Sequence, residues 1–85
     1  MSKSVFSDAN RIVVEVLVAA RKAAGLRQVE LAERIGKDQT YISRIEQGQR
    51  RVDVLEFYRL ATAMGCDPVA LYQSMAERLP DEFPV

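Results

Sequence analysis

The chain of 85 residues predicts an all-α fold of five helices. Three observations carry this. Gly25, Gly36, Gly48 and Gly65 each follow a stretch with helical apolar spacing, at the position where a left-handed residue ends a helix without steric penalty. Residues that cap helix starts stand where such stretches begin. No two segments read as strands that pair with one another.

The elements follow in order. The first helix is expected near 8–24, capped by Ser7 or Asp8. Its segment Ile12-Val13-Val14-Glu15-Val16-Leu17-Val18 favours a strand on β-branched propensity. A lone strand would leave its backbone groups unsatisfied, so helix is the better reading. The second helix, 28–35, carries Leu31, Ala32 and Ile35 as an apolar stripe, and the third, 39–47, opens at Asp38 and carries Ile42 and Ile45. Asp53 with Glu56 three residues on forms a capping box for the fourth, 54–64. Asp67-Pro68 supplies a cap and a first-turn proline for the fifth, 68–79, and Pro80 and Pro84 close it. Cys66 reads as a small core residue, since nothing nearby in sequence activates a thiol.

Composition narrows the function. Residues 1–85 make one domain, with 48% apolar residues to form a core. One cysteine forms no internal disulfide, no signal segment is recognisable, and no apolar run approaches the roughly 20 residues of a membrane span, which together point to the cytoplasm. There is no histidine, so the commonest general base and metal ligand is missing. No nucleophile motif, phosphate loop or metal-ligand cluster appears, so neither an enzyme, a cofactor nor a metal site is expected. Net charge is zero but unevenly spread: residues 21–51 hold eight basic against four acidic side chains, the remainder four against eight.

Two short apolar-striped helices joined through Gly36 are the arrangement of a helix-turn-helix, here about 28–47. The run Ala24-Gly25-Leu26-Arg27-Gln28-Val29-Glu30-Leu31-Ala32-Glu33-Arg34-Ile35-Gly36 resembles the phage-repressor (Cro/XRE) family. So does Gln39-Thr40-Tyr41-Ile42-Ser43-Arg44-Ile45-Glu46-Gln47-Gly48-Gln49-Arg50-Arg51, which is similar to that family's recognition helix and following loop. The likeness runs from about Val13 to Tyr72. It implies a compact five-helix, lambda-repressor-like DNA-binding domain that works as a homodimer on a palindromic double-stranded operator.

The third helix of such a domain lies in the major groove. The resemblance implies base contacts from Gln39, Thr40, Ser43 and Arg44, with Gln39 suited to adenine and Arg44 to guanine. The plainer alternative is polar side chains on a solvated face. Phosphate contacts are expected from Arg27, Gln28, Tyr41, Arg50 and Arg51, against solvated charge as the alternative. Arg27 stands where relatives often carry a capping threonine, and Val52 where many carry proline. Arg21 and Glu46 occupy positions that in relatives form an ion pair between the first and third helices.

The first helix is apolar around most of its circumference and needs cover on most sides. Residues 68–85 supply Leu71, Met75, Leu79 and Phe83, and the other end supplies Phe6. The first four are assigned to a dimer interface, partly shared with a tail folded over the first helix. The resemblance implies a repressor or controller. An antitoxin of a toxin–antitoxin pair, or a protein-interaction module that has lost DNA affinity, would use the same fold and a protein partner. Should the chain activate, the acidic surface at Asp53 and Glu56 offers a polymerase contact.

Overall fold

The computed structural model describes residues 7–84. Five helices succeed one another: α1 (Ser7–Ala23), α2 (Gln28–Arg34), α3 (Gln39–Glu46), α4 (Val54–Ala63) and α5 (Pro68–Ala76), with no strand among the described residues. Phe6 lies outside the described residues, as does the Ser7 side chain proposed as a cap.

The glycine reading holds at the ends of α1 to α4. All four glycines have φ between +71° and +77°. Around Gly36 the Lys37 amide donates to the Ala32 carbonyl at 2.9 Å and the Gly36 amide to that of Glu33 at 3.2 Å. These reversed bonds satisfy carbonyls that a helix end leaves open, and the same pair recurs at Gly25, Gly48 and Gly65. The starts hold too. Asp38 accepts from the Tyr41 amide, Asp53 from that of Glu56 and Asp67 from that of Val69.

The β-branched segment of α1 is helical. Val16 and Leu17 are buried, and Val13 and Ala20 pack on the core from the same side; tertiary burial outweighs the few tenths of a kcal/mol per residue at stake in propensity. Leu17, Leu26, Leu31, Ala32, Ile42, Ile45, Leu60 and Met64 form that core, with half-buried Cys66 against it. The Arg34 guanidinium donates to the Ala63 carbonyl at 2.8 Å and ties α2 to the end of α4.

The fifth helix is shorter than the expected 68–79. After Ala76 the Arg78 and Leu79 amides donate three residues back, to Met75 and Ala76. This tighter winding follows from Pro80, which disfavours helical geometry in the residue before it. The tail then lies along α1. Arg78 pairs with Glu15, and Phe83 lines a groove with Ala9 and Ile12.

The four residues assigned to the dimer interface are therefore largely engaged inside the chain. Met75 is buried, Leu71 packs on the core, and Leu79 and Phe83 line grooves beside α1. Their helical spacing is the spacing of a core-facing stripe. Phe83 keeps 38% exposure, and the more exposed apolar side chains are others: Val54 and Leu55 on α4, 81% and 76% exposed, Tyr58, and Val69 and Tyr72 on α5. Between Val54 and Tyr58 on one side and Val69 and Tyr72 on the other runs an apolar groove of about 380 Å³ floored by Val13 and Met75, with the edge of Phe57 against Tyr72.

Candidate nucleic-acid interface

Helical periodicity divides α3 into two faces. Ile42 and Ile45 are each 2% exposed and anchor the helix on the core. Gln39, Thr40 and Arg44 stand in solvent and Ser43 is half-buried. Burying one face orients the other, so the exposed side chains point outward from a rigid support rather than from a loop. The side chains of Thr40 and Arg44 make no hydrogen bond or ion pair among the described residues. The Ser43 hydroxyl accepts from the Gln47 amide nitrogen at 2.8 Å.

A polar chain fixes α3 from beneath. Arg21 on α1 donates from Nε and Nη2 to the two Glu46 carboxylate oxygens at 2.7 and 3.0 Å, and from Nη1 to the Leu26 carbonyl at 2.7 Å. Both side chains are about one-tenth exposed. The Arg21–Glu46 pair expected between first and third helices is thus present. Glu46 also accepts from the Gln28 amide nitrogen at 2.8 Å, and Gln28 in turn accepts from Gln39 at 3.1 Å. The network ends on the first residue of the presented face, which couples the rotamer of Gln39 to a buried ion pair.

Arg27 carries no acceptor to cap α2. The Glu30 carboxylate supplies the other half of a capping box, accepting from the Arg27 backbone amide at 2.8 Å and, more loosely, from its guanidinium at 3.3 Å. Those bonds hold the Glu30 carboxyl below its ordinary value. Arg27 itself remains 75% exposed.

Around Tyr41 lies a cluster only partly foreseen from sequence. The Arg50 guanidinium sits 4.7 Å from the ring centroid and the Lys37 ammonium 5.2 Å from it. Arg50 is bidentate to Glu56, at 3.0 and 2.7 Å. Glu56 simultaneously accepts from the Asp53 amide at 2.9 Å. Burial and the Glu56 carboxylate, a partner of the phenol, push Tyr41 up to about 12. The Arg50 bonds bring Glu56 down to about 2. Arg51 is exposed beside them.

Two expectations change here. Arg50 is committed to a carboxylate instead of standing free, and the acidic surface of Asp53 and Glu56 is occupied by capping and by Arg50. Sequence reading missed Lys37 altogether. Its one signal was its place four residues before Tyr41, next to the start of α3.

Glu56 has a consequence for acid stability. A carboxyl whose folded value lies below its ordinary 4.5 contributes stability that is complete above that value. The contribution is lost as pH falls toward about 2. Thermal melts at pH 5 and pH 3 are expected to show a smaller acid shift for Glu56→Gln than for the parent. An equal shift would assign acid sensitivity to other carboxylates.

No helix of the described residues is long and apolar enough to cross a membrane, and no group of three or more potential metal ligands occurs among them. A helix-turn-helix family profile matches residues 17–71. The chain is 36% identical over 64 residues, 75% of its length and 83% of the relative's, to the HTH-type transcriptional regulator y4dJ of Sinorhizobium fredii. Among solved structures it superposes on an XRE-family like protein from Pseudomonas syringae pv. tomato with a TM-score of 0.80 and 36% identity, covering 89% of this chain and 93% of that one. It also superposes on the restriction-modification controller protein C.AhdI from Aeromonas hydrophila with a TM-score of 0.66 and 35% identity, covering 76% and 97%. With the helix pair, the outward face of α3 and these likenesses in hand, the chain belongs to the XRE family of helix-turn-helix, DNA-binding transcriptional regulators.

Proposed function

We propose that this chain is a homodimeric repressor or controller that reads a palindromic operator through α3. The observation that carries the reading is the outward face of α3, where Arg44 projects unpaired beside Gln39 and Thr40 while Ile42 and Ile45 lock the helix from behind. Arg44 offers the fork that matches the O6 and N7 acceptors of guanine, and Gln39 the donor–acceptor pair that matches adenine. Thr40 and Ser43 complete the reading surface. Arg27, Gln28, Tyr41, Arg50 and Arg51 form its phosphate-facing rim, to which Lys37 is added. The likeness to a restriction-modification controller favours control of a nearby promoter by occupancy.

Dimerisation belongs to the same proposal. Eight residues of α3 span about 12 Å, a fraction of a duplex turn, so one copy reads too few bases for useful specificity. A two-fold partner presents a second α3 about 34 Å away in the next major groove. The surface for that partner is the α4–α5 groove rather than the Leu71–Met75 stripe. Apolar side chains as exposed as Val54, Tyr58, Val69 and Tyr72, gathered along one groove, favour it as the site a partner covers. The groove also begins at Val52, directly after the Arg50–Arg51 loop, so a second copy docked there sits beside the DNA-facing rim.

Fluorescence anisotropy on the DNA upstream of the gene tests this, with Arg44→Ala alongside. The parent is expected to prefer that fragment to unrelated DNA. The substitution is expected to cost about 1–3 kcal/mol on the specific fragment, roughly tenfold to a hundredfold, and little on the unrelated one. Equal weak binding of both fragments by the parent would reject operator reading.

A further inference from the structure

We infer that Glu56 limits the DNA contact of this chain by holding the Arg50 guanidinium in the place a phosphate would take. The inference rests on the DNA-binding reading above and assigns Glu56 a role that reading does not include.

Arg50 is gripped on three sides. Its two terminal nitrogens meet the two Glu56 oxygens at 3.0 and 2.7 Å, Nη1 also donates to the Arg51 carbonyl at 3.0 Å, and the Tyr41 ring lies against its face. A carboxylate and a phosphate present the same two-oxygen edge to this fork, so the terminal edge that would clamp a DNA phosphate is already filled. The Arg50 side chain is nonetheless 41% exposed, while Glu56 is 22% exposed. The pair therefore lies at the surface, where a phosphate can compete.

Two other basic side chains, Arg44 on the reading face and Arg27 on the rim, differ. Arg44 has no partner among the described residues, and Arg27 makes one bond of 3.3 Å at 75% exposure. Glu56 itself is held in place independently of Arg50 by the Asp53 amide. It is a fixed anion built into the start of α4, and it cancels the charge that Arg50 would add to non-specific attraction. Discrimination is thereby left to α3.

Glu56→Gln tests this cleanly, because glutamine also serves at this position of a capping box. Binding of the parent and the variant to the upstream fragment is measured between 50 and 200 mM salt. Releasing Arg50 adds one phosphate contact, so the slope of log affinity against log salt steepens by about 0.9. The variant then loses about threefold more affinity than the parent across that range. In an Arg50→Ala background, Glu56→Gln leaves the slope unchanged. Arg50→Lys, which keeps the charge and gives up the fork, moves the slope in the same direction and serves should the Gln variant fold poorly.

An unchanged or shallower slope for Glu56→Gln would overturn the inference and leave the DNA reading intact. So would an equal steepening in both backgrounds, since removal of a negative charge would then account for it. A parent that shows no salt-dependent binding to any fragment overturns the DNA reading and this inference with it.

Discussion

Glu46→Ala is expected to lower the thermal midpoint by more than about 12 °C. The substitution strands the Arg21 guanidinium, about nine-tenths buried, with the Leu26 carbonyl as its remaining partner. Breaking a buried pair by removing one member costs about 3–5 kcal/mol, because the other charge is left desolvated and unpaired. Each kcal/mol moves the midpoint of a domain this size by about 4–8 °C. The comparison that separates charge from packing is the double replacement Arg21→Met with Glu46→Leu. Apolar replacement of both members of such a pair is near neutral or stabilising in other proteins, so the double variant is expected to melt close to the parent. It would still bind DNA less well, because Gln28 loses its Glu46 acceptor and Gln39 is no longer held by the chain of bonds beneath it. A single variant that melts within a few degrees of the parent would show that Arg21 reaches water when Glu46 is gone. Calorimetry of the three proteins, read beside their operator affinity, distinguishes a pair kept for stability from one kept to position α3.

What could be read from the sequence was what is local in chain distance. A glycine after an apolar stripe, or an aspartate before one, acts on amides and carbonyls within a few residues, so Gly36, Asp38, Asp53 and Asp67 declared the helix ends unaided. The outward set on α3 followed from Ile42 and Ile45 for the same reason, since three-residue spacing fixes which neighbours face away. The Arg21–Glu46 pair spans 25 positions and entered only through family likeness. The Arg50–Glu56–Tyr41 cluster had no such guide. Glu56 already had a local role at the capping box, and nothing in chain order marks that both its oxygens also turn to Arg50. Periodicity was ambiguous at α5. Leu71, Met75 and Leu79 are spaced as one stripe, and one stripe identifies the face that seeks cover without saying whether the cover is the same chain or another. The core of this chain takes Leu71 and Met75, and Val69 and Tyr72 emerge on the other side as the apolar surplus.

That surplus sets the second large effect. Val69→Glu and Tyr58→Glu are expected to convert the proposed dimer to a monomer and to weaken operator binding by about two orders of magnitude or more. Both side chains lie in water in the single chain, 76% and 57% exposed, so the fold itself is expected to melt as the parent does. In a two-fold interface each substitution appears twice and sets like charges in an apolar contact, where an unpaired carboxylate is strongly disfavoured. The loss on DNA arises because two linked reading helices gain about 10²–10⁴ over either alone. A single half-site should show little of it. Sedimentation equilibrium and anisotropy on one-half-site and two-half-site duplexes check the three parts together. Met75→Ala gives the contrast, since a buried methionine is expected to cost about 2–5 kcal/mol of stability by emptying the groove floor from below. If the glutamate variants stay dimeric, the second copy docks elsewhere, with the α1–tail grooves at Ile12 and Phe83 as the next surface to charge. If they become monomeric yet bind the two-half-site duplex as tightly as the parent, pairing occurs on the DNA itself, and the α4–α5 groove is free for a different protein.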